Sequence, residues 1–188
     1  SLKVKEALRY FILDYWQDLA RPTLLSVCCE AVGGNPRVVT PFAISLSIIS
    51  GGIDIHDDII DGTKKKHGRK TVYGKYGKEI ALLTADALIF KGFSLLHEAT
   101  TKVDLTKAQK IINTIKSLFY ELGDAEALEL TLRRRWDVTP GEYLRIIEKK
   151  AADVEAHARI GAILGNATAK DEKKLAIYGR LLGIIIII

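Results

Sequence analysis

The chain has 188 residues, 48% of them hydrophobic and 27% charged, which is too apolar for a disordered or acidic-tail protein and suits a single globular domain spanning 1–188. Twenty-eight Lys and Arg against 23 Asp and Glu leave a net charge of +5, a mild excess that favours anionic ligands such as diphosphates without demanding nucleic acid. Its two cysteines, Cys28 and Cys29, are adjacent, which excludes a disulfide framework and a CxxC metal site and points to a reducing compartment.

From Leu2 to Leu19 the apolar residues Leu8, Phe11, Ile12, Tyr15, Trp16 and Leu19 recur at three- and four-residue spacings, predicting one amphipathic helix. Residues 1–10 lack an apolar signal core, so the expected location is the cytoplasm. Pro22 opens a second helix that stops at Gly33, Gly34, Asn35 and Pro36. The uncharged run from Val38 to Ile53 falls short of the ~20 residues a bilayer span needs and predicts a buried helix continuing to Asp61. Gly62 to Thr71, with its run of Lys and Arg, reads as an exposed loop. Helical spacing returns from Gly77 to Ala99. Asp104 is a candidate N-cap for a long helix through Arg133, and Thr139, Pro140 and Glu142 supply the capping residues of another that should reach Leu164. Asp171 and Glu172 start a last helix, although Ile184 to Ile188 alone suits a buried strand equally well. Nothing else alternates with period two, so the predicted fold is all-α, a bundle of antiparallel helices that builds its site from inward-facing side chains.

The segment Ile53 to Gly62 interrupts an apolar helix with Asp54, His56, Asp57, Asp58 and Asp61. Charges there are costly unless paired or metal-bound. Asp57 and Asp61 are four apart and share a helix face, a spacing suited to Mg²⁺, which takes one or two carboxylates and leaves positions for phosphate oxygens. Lys64, Lys65, Lys66, His67, Arg69 and Lys70 follow at once, and a metal beside cations points to diphosphate. The bland alternative is a helix end whose charges face water. A further one is the His-Asp doublet of an HD-type phosphohydrolase, but that site needs an upstream histidine and none precedes His56.

Asp57-Asp58-Ile59-Ile60-Asp61 resembles the first aspartate-rich motif, DDxxD, of the trans-isoprenyl diphosphate synthases, or polyprenyl synthetases. Arg21-Pro22 ahead of Glu30-Ala31-Val32-Gly33-Gly34, Gly68-Arg69-Lys70-Thr71, and Thr84 to Leu88 are similar to further family landmarks. So are Glu126 to Leu130, as a variant of GQxxD, Lys150-Ala151, as a variant of Lys-Thr, and Gly179 to Gly183. The order is right across the whole chain.

The resemblance implies the isoprenoid synthase fold, a homodimer with a deep central cavity, and head-to-tail condensation of an allylic diphosphate with isopentenyl diphosphate. Asp57 and Asp61, supported by Asp58, would hold Mg²⁺ together with a second aspartate-rich motif expected just beyond Ile188. Lys66 and Lys150 take the places of residues at the allylic diphosphate, and Arg21, His67 and Ser50 those at isopentenyl diphosphate. Gly52 and Ile53, one turn before the motif, take the place of the cavity floor that limits product length. With no aromatic there, the floor is expected to be open and the product geranylgeranyl or farnesyl in type, unless Phe90 or Phe93 supplies a wall.

Departures from the pattern fall on one substrate. Gln17-Asp18 replaces Gly-Lys, Ser50 a histidine and His67 an arginine, while Ile186-Ile187 replaces Phe-Gln. They leave two other readings open: a noncatalytic partner subunit of a heteromeric synthase, and a class I terpene cyclase, against which the cations after the motif argue.

Overall fold

A computed structural model describes residues 2–188. It is helical almost throughout and forms two compact units, one of residues 2–19 and 40–102, the other of residues 20–39 and 103–188.

In the first unit, α1 (Leu2–Arg9) continues as a π-helical segment, Tyr10–Tyr15, closed by the Trp16 N–H donating to Phe11 O at 2.8 Å. The single helix expected through Leu19 therefore ends early, with Trp16 in extended backbone. The wider turn lets Tyr10, Phe11, Tyr15 and Trp16 form a ring cluster with centroids 5.5–6.0 Å apart, and π-turns of this kind often accompany functional sites. Helix α3 (Thr40–Ile60) then runs along α5 (Lys78–Thr100). Their backbones approach closely because glycines face each other's partners: a Cβ on Gly52 would lie 2.8 Å from Ala85 O, and one on Gly92 would lie 3.0 Å from Ser45 O. Ile55, Ala81, Ala85 and Leu88 join Ala7, Phe11 and Val72 in one buried cluster.

Between these helices the predicted loop is more ordered than its charge suggests. Two short antiparallel strands, β1 (Lys65–Lys66) and β2 (Arg69–Lys70), turn at His67 and Gly68, whose positive φ angles of 50° and 76° are those a two-residue type I′ hairpin requires. Thr71, buried, caps the short α4 (Val72–Tyr76), which the sequence did not signal.

In the second unit, α2 (Ala20–Ala31) lies beside α8 (Ala152–Leu164), with α9 (Ala169–Ile187) and α6 (Leu105–Leu132) also against α8. Gly161 permits the α2 contact, since a Cβ there would meet Leu25 O at 2.3 Å and Cys28 Cβ at 3.0 Å. The buried Cys28 and Cys29 are small packing residues at this seam, and burial raises the Cys28 thiol to about 11, which makes it inert. Asp104 caps α6, and Thr139 with Glu142 forms a full capping box on α7 (Pro140–Lys150), both as predicted. The helix expected to run on to Leu164 is instead broken at Ala151, where α9 crosses so closely that a Cβ on Gly183 would sit 2.9 Å from Ala151 Cβ. Ile184–Ile187 continue α9, so the strand alternative for the isoleucine run is not taken. Arg180 bridges Glu121 and Glu155, and Arg159 bridges Glu155 and Glu172, tying α6, α8 and α9 together.

Candidate diphosphate and metal site

Helix α3 ends immediately before Asp61, and the way it ends shapes the site. Thr63 N–H donates to Asp58 O and Gly62 N–H to Ile59 O, the paired bonds of a Schellman cap, with Gly62 at φ 68°. Only glycine takes that conformation readily. The chain reverses there and the hairpin returns Lys66 to the helix end, its Nζ 2.7 Å from Asp58 Oδ1 and 3.5 Å from Asp57 Oδ2.

Asp54, Asp57, Asp58 and Asp61 follow an i, i+3, i+4, i+7 pattern and form a stripe on one face of two turns. Asp58 is 2% exposed. Its buried Oδ1 is held by the Lys66 ammonium at 2.7 Å. Burial pushes the Asp58 carboxyl above its ordinary range, and Lys66 only partly offsets this. Burial alone would lower the Lys66 ammonium, yet the bond to Asp58 and the charges of Asp57 and Asp54 outweigh it and hold the group above its usual value. The lysine, facing three acids, is the firmly charged member of the pair.

Around this pair the first unit supplies a frame. Trp16 Nε1 donates to Asp54 Oδ2 at 2.9 Å, Arg69 to Asp14 O and Tyr10 to Lys70 O, each at 2.6 Å, and Lys75 lies 3.5 Å over the Tyr10 ring. The Trp16–Asp54 bond was not foreseen; an acid one turn before the motif, in an otherwise apolar helix, was the available signal. His56 pairs with Asp86 of α5 at 3.2 Å instead of joining Asp57 in a metal doublet, which removes the support for the HD-type alternative. His67 is exposed at the hairpin tip, its backbone set by the turn, and Ser50 is buried in α3. Asp61 is exposed.

Gly52 departs from the expected open floor. It faces α5, where a Cβ would lie 2.6 Å from Ile89 Cγ1 as well as against the Ala85 carbonyl. Its smallness serves helix packing, which leaves Ile53, half-buried, as the side chain of that pair. Phe90 and Phe93 are exposed, the former 74%, and so form no inner wall in this unit.

In the second unit the other two carried-over cations also have acidic partners. Arg21 Nε is 2.5 Å from Asp153 Oδ2. Lys150, at the end of α7, reaches Glu126 at 2.9 Å and Glu129 at 2.5 Å on α6. Those glutamates raise the ammonium well above its usual range despite partial burial. Glu126 and Glu129 occupy the segment read as the GQxxD variant, whose pairing with Lys150 the sequence reading did not anticipate. Asp153 was missed altogether.

An all-helical architecture of this kind is that of the isoprenoid synthases. The geranylgeranyl pyrophosphate synthetase of Pyrococcus horikoshii superimposes with a TM-score of 0.90 at 30% identity, over 97% of this chain and 55% of that one. The polyprenyl synthetase family description matches residues 5–186, and the chain belongs to that family. A geranylgeranyl diphosphate synthase of Methanosarcina mazei is 33% identical over 93% of this chain and 53% of its own length. A (2E,6E)-farnesyl diphosphate synthase of Mycobacterium tuberculosis is 32% identical over 87% of this chain and 45% of its own. The chain thus spans about half the length of the curated relatives it matches.

Proposed function

We propose that the protein is a Mg²⁺-dependent prenyltransferase that condenses an allylic diphosphate with isopentenyl diphosphate into a short or medium linear product of geranylgeranyl or farnesyl type. The carrying observation is the end of α3, where Asp57 and the buried Asp58 are held beside Lys66 by the Schellman cap and the hairpin. The residues suit the ion. All donors are carboxylate oxygens, as Mg²⁺ prefers, and the buried Asp58 Oδ1 is already balanced by a cation, Lys66, whose place a divalent ion would take. Among the described residues no three His, Cys, Asp or Glu converge in a closed metal cage; one or two carboxylates with water and phosphate are the usual Mg²⁺ environment.

Asp57 and Asp61 would hold the ion with Asp58 in support. When bound, Mg²⁺ supplies Lewis-acid stabilisation of the departing diphosphate. By the family pattern Lys66 and Lys150 are each read as contacts of the allylic diphosphate, and Arg21, His67 and Ser50 as contacts of isopentenyl diphosphate. Each bound diphosphate must draw its cation from the carboxylate now engaging it, so substrate affinity depends on how readily those pairs open. Ile53 limits the product, while Gly52 sets helix spacing.

We further read the protein as a cytoplasmic homodimer. Leu82, Leu83, Phe90 and Phe93 leave an apolar face on α5 larger than scattered surface apolar residues account for. By length and composition α5 could also cross a membrane, with a third of its most apolar window buried; its close glycine-mediated contact with α3 favours a second copy as the cover.

One observation favours a second reading, the noncatalytic partner subunit: Lys66, Lys150 and Arg21 are already engaged by carboxylates. Wild-type turnover and its response to Asp57→Ala separate the two. Turnover that is lost in Asp57→Ala with an unchanged helical circular dichroism spectrum supports the enzyme, undiminished turnover in the variant removes the metal assignment, and no turnover in the wild type supports the partner subunit.

A further inference from the structure

His157 is a buried titratable group that the proposed reaction leaves without a task. It lies on α8 and is 2% exposed. Its Nδ1 is 2.8 Å from the backbone oxygen of Asp153, one turn earlier, and 3.4 Å from Asp153 Oδ1. A carbonyl oxygen can only accept, so Nδ1 carries the proton. Nε2 is buried and without a hydrogen-bond partner among the described residues. A leucine would fill this place with no unsatisfied polar atom. What the imidazole does and a leucine cannot is place an N–H, bonded to the Asp153 carbonyl, within 3.4 Å of the Asp153 carboxylate.

Asp153 in turn gives its other oxygen, Oδ2, to Arg21 Nε. One carboxylate therefore stands between a buried ring and a guanidinium, with one oxygen toward each. We propose that His157 is a positioning residue for Arg21, acting through Asp153. The terminal torsion of an aspartate is broad, and the ring N–H near Oδ1 narrows it so that Oδ2 stays aimed at the guanidinium. The carboxylate in turn holds a long side chain that would otherwise lose rotamer freedom when an anion binds. The proposal rests on the reading of Arg21 as an isopentenyl diphosphate contact.

The test is isothermal titration of isopentenyl diphosphate into the full-length protein, together with steady-state KM and kcat, for wild type, Arg21→Ala, His157→Leu and His157→Asn. His157→Leu should weaken isopentenyl diphosphate about threefold to fivefold, the scale of a modest net polar contact. Its kcat and its KM for the allylic substrate should stay unchanged, and its Tm should not fall. His157→Asn, whose amide N–H can stand in for Nδ1–H, should bind as wild type does. Unchanged affinity in His157→Leu beside weakened binding in Arg21→Ala would overturn the positioning role alone, as would an Asn variant as weak as Leu. An Arg21→Ala variant that binds normally would overturn the Arg21 reading, and the proposal with it.

Discussion

Lys66→Met is the perturbation that most directly probes the acid stripe. In the wild type one ammonium serves Asp58 at 2.7 Å and Asp57 at 3.5 Å, with Asp58 only 3% exposed at its side chain. Removing one member of a fully buried pair costs about 3–5 kcal/mol, and Lys66, 38% exposed, is partly screened, which brings the expected loss to about 2 kcal/mol. For a chain of this length that is a fall in Tm of about 4–8 °C. Methionine keeps most of the apolar stem, so the loss reports charge and not packing. Added Mg²⁺ should restore more stability to the variant than it gives the wild type, because the ion no longer displaces a bound ammonium and is linked to folding by mass action. Differential scanning fluorimetry with and without Mg²⁺ measures both quantities. An unchanged Tm in the metal-free variant, or a smaller Mg²⁺ gain than in wild type, would refute the shared use of Asp58 by lysine and metal.

Further predictions come from the same geometry. Gly52→Phe should destabilise the protein by about 3 kcal/mol or more through overpacking against Ile89 and the Ala85 carbonyl, whereas Ile53→Phe should fold and shorten the main product; chemical denaturation and mass spectrometry distinguish them. Glu155 is held below the ordinary glutamate range: burial opposes this, but Arg159 and Arg180 prevail. Its ionised form therefore adds stability that is complete above the unfolded glutamate pKa and is lost as pH falls through the lower folded value. Glu155→Gln should lower stability near neutrality and flatten that acid-side decline, as followed by urea midpoints across pH. Thr139→Ala removes the N-cap of α7 and should cost about 1 kcal/mol, seen as a lower urea midpoint with the fold intact.

The sequence was most legible where local chemistry decides. The caps at Asp104 and Thr139, the buried α3 and the acid spacing on it follow from side chains a few residues apart. The break at Ala151 was not legible, because it occurs where α9 crosses, a contact between residues 32 apart. Likewise the early end of the first helix depends on an aromatic cluster that also meets Gly51, where a Cβ would fall 2.7 Å from Phe11. At the site, residue types and spacing marked Asp57, Asp58 and Asp61, but not which cation meets which acid. Lys66 reaches Asp58 only because Gly62 and the His67–Gly68 turn fold the chain back. Arg21 and Asp153 are 132 positions apart, so no local pattern could have joined them. Gly52 shows the opposite failure, a small residue read as open space that is instead a helix contact.

The central claim is tested by incubating the full-length protein with Mg²⁺, isopentenyl diphosphate and, in turn, dimethylallyl, geranyl and farnesyl diphosphate, with products identified by mass spectrometry. The expected result is a ladder of C5 additions that ends at one length, geranylgeranyl or farnesyl, and vanishes when Mg²⁺ is chelated. Silence with every starter, from folded protein that still binds Mg²⁺ and diphosphate, would contradict the enzyme reading and leave a partner subunit whose cations stay locked to Asp58, Glu126, Glu129 and Asp153.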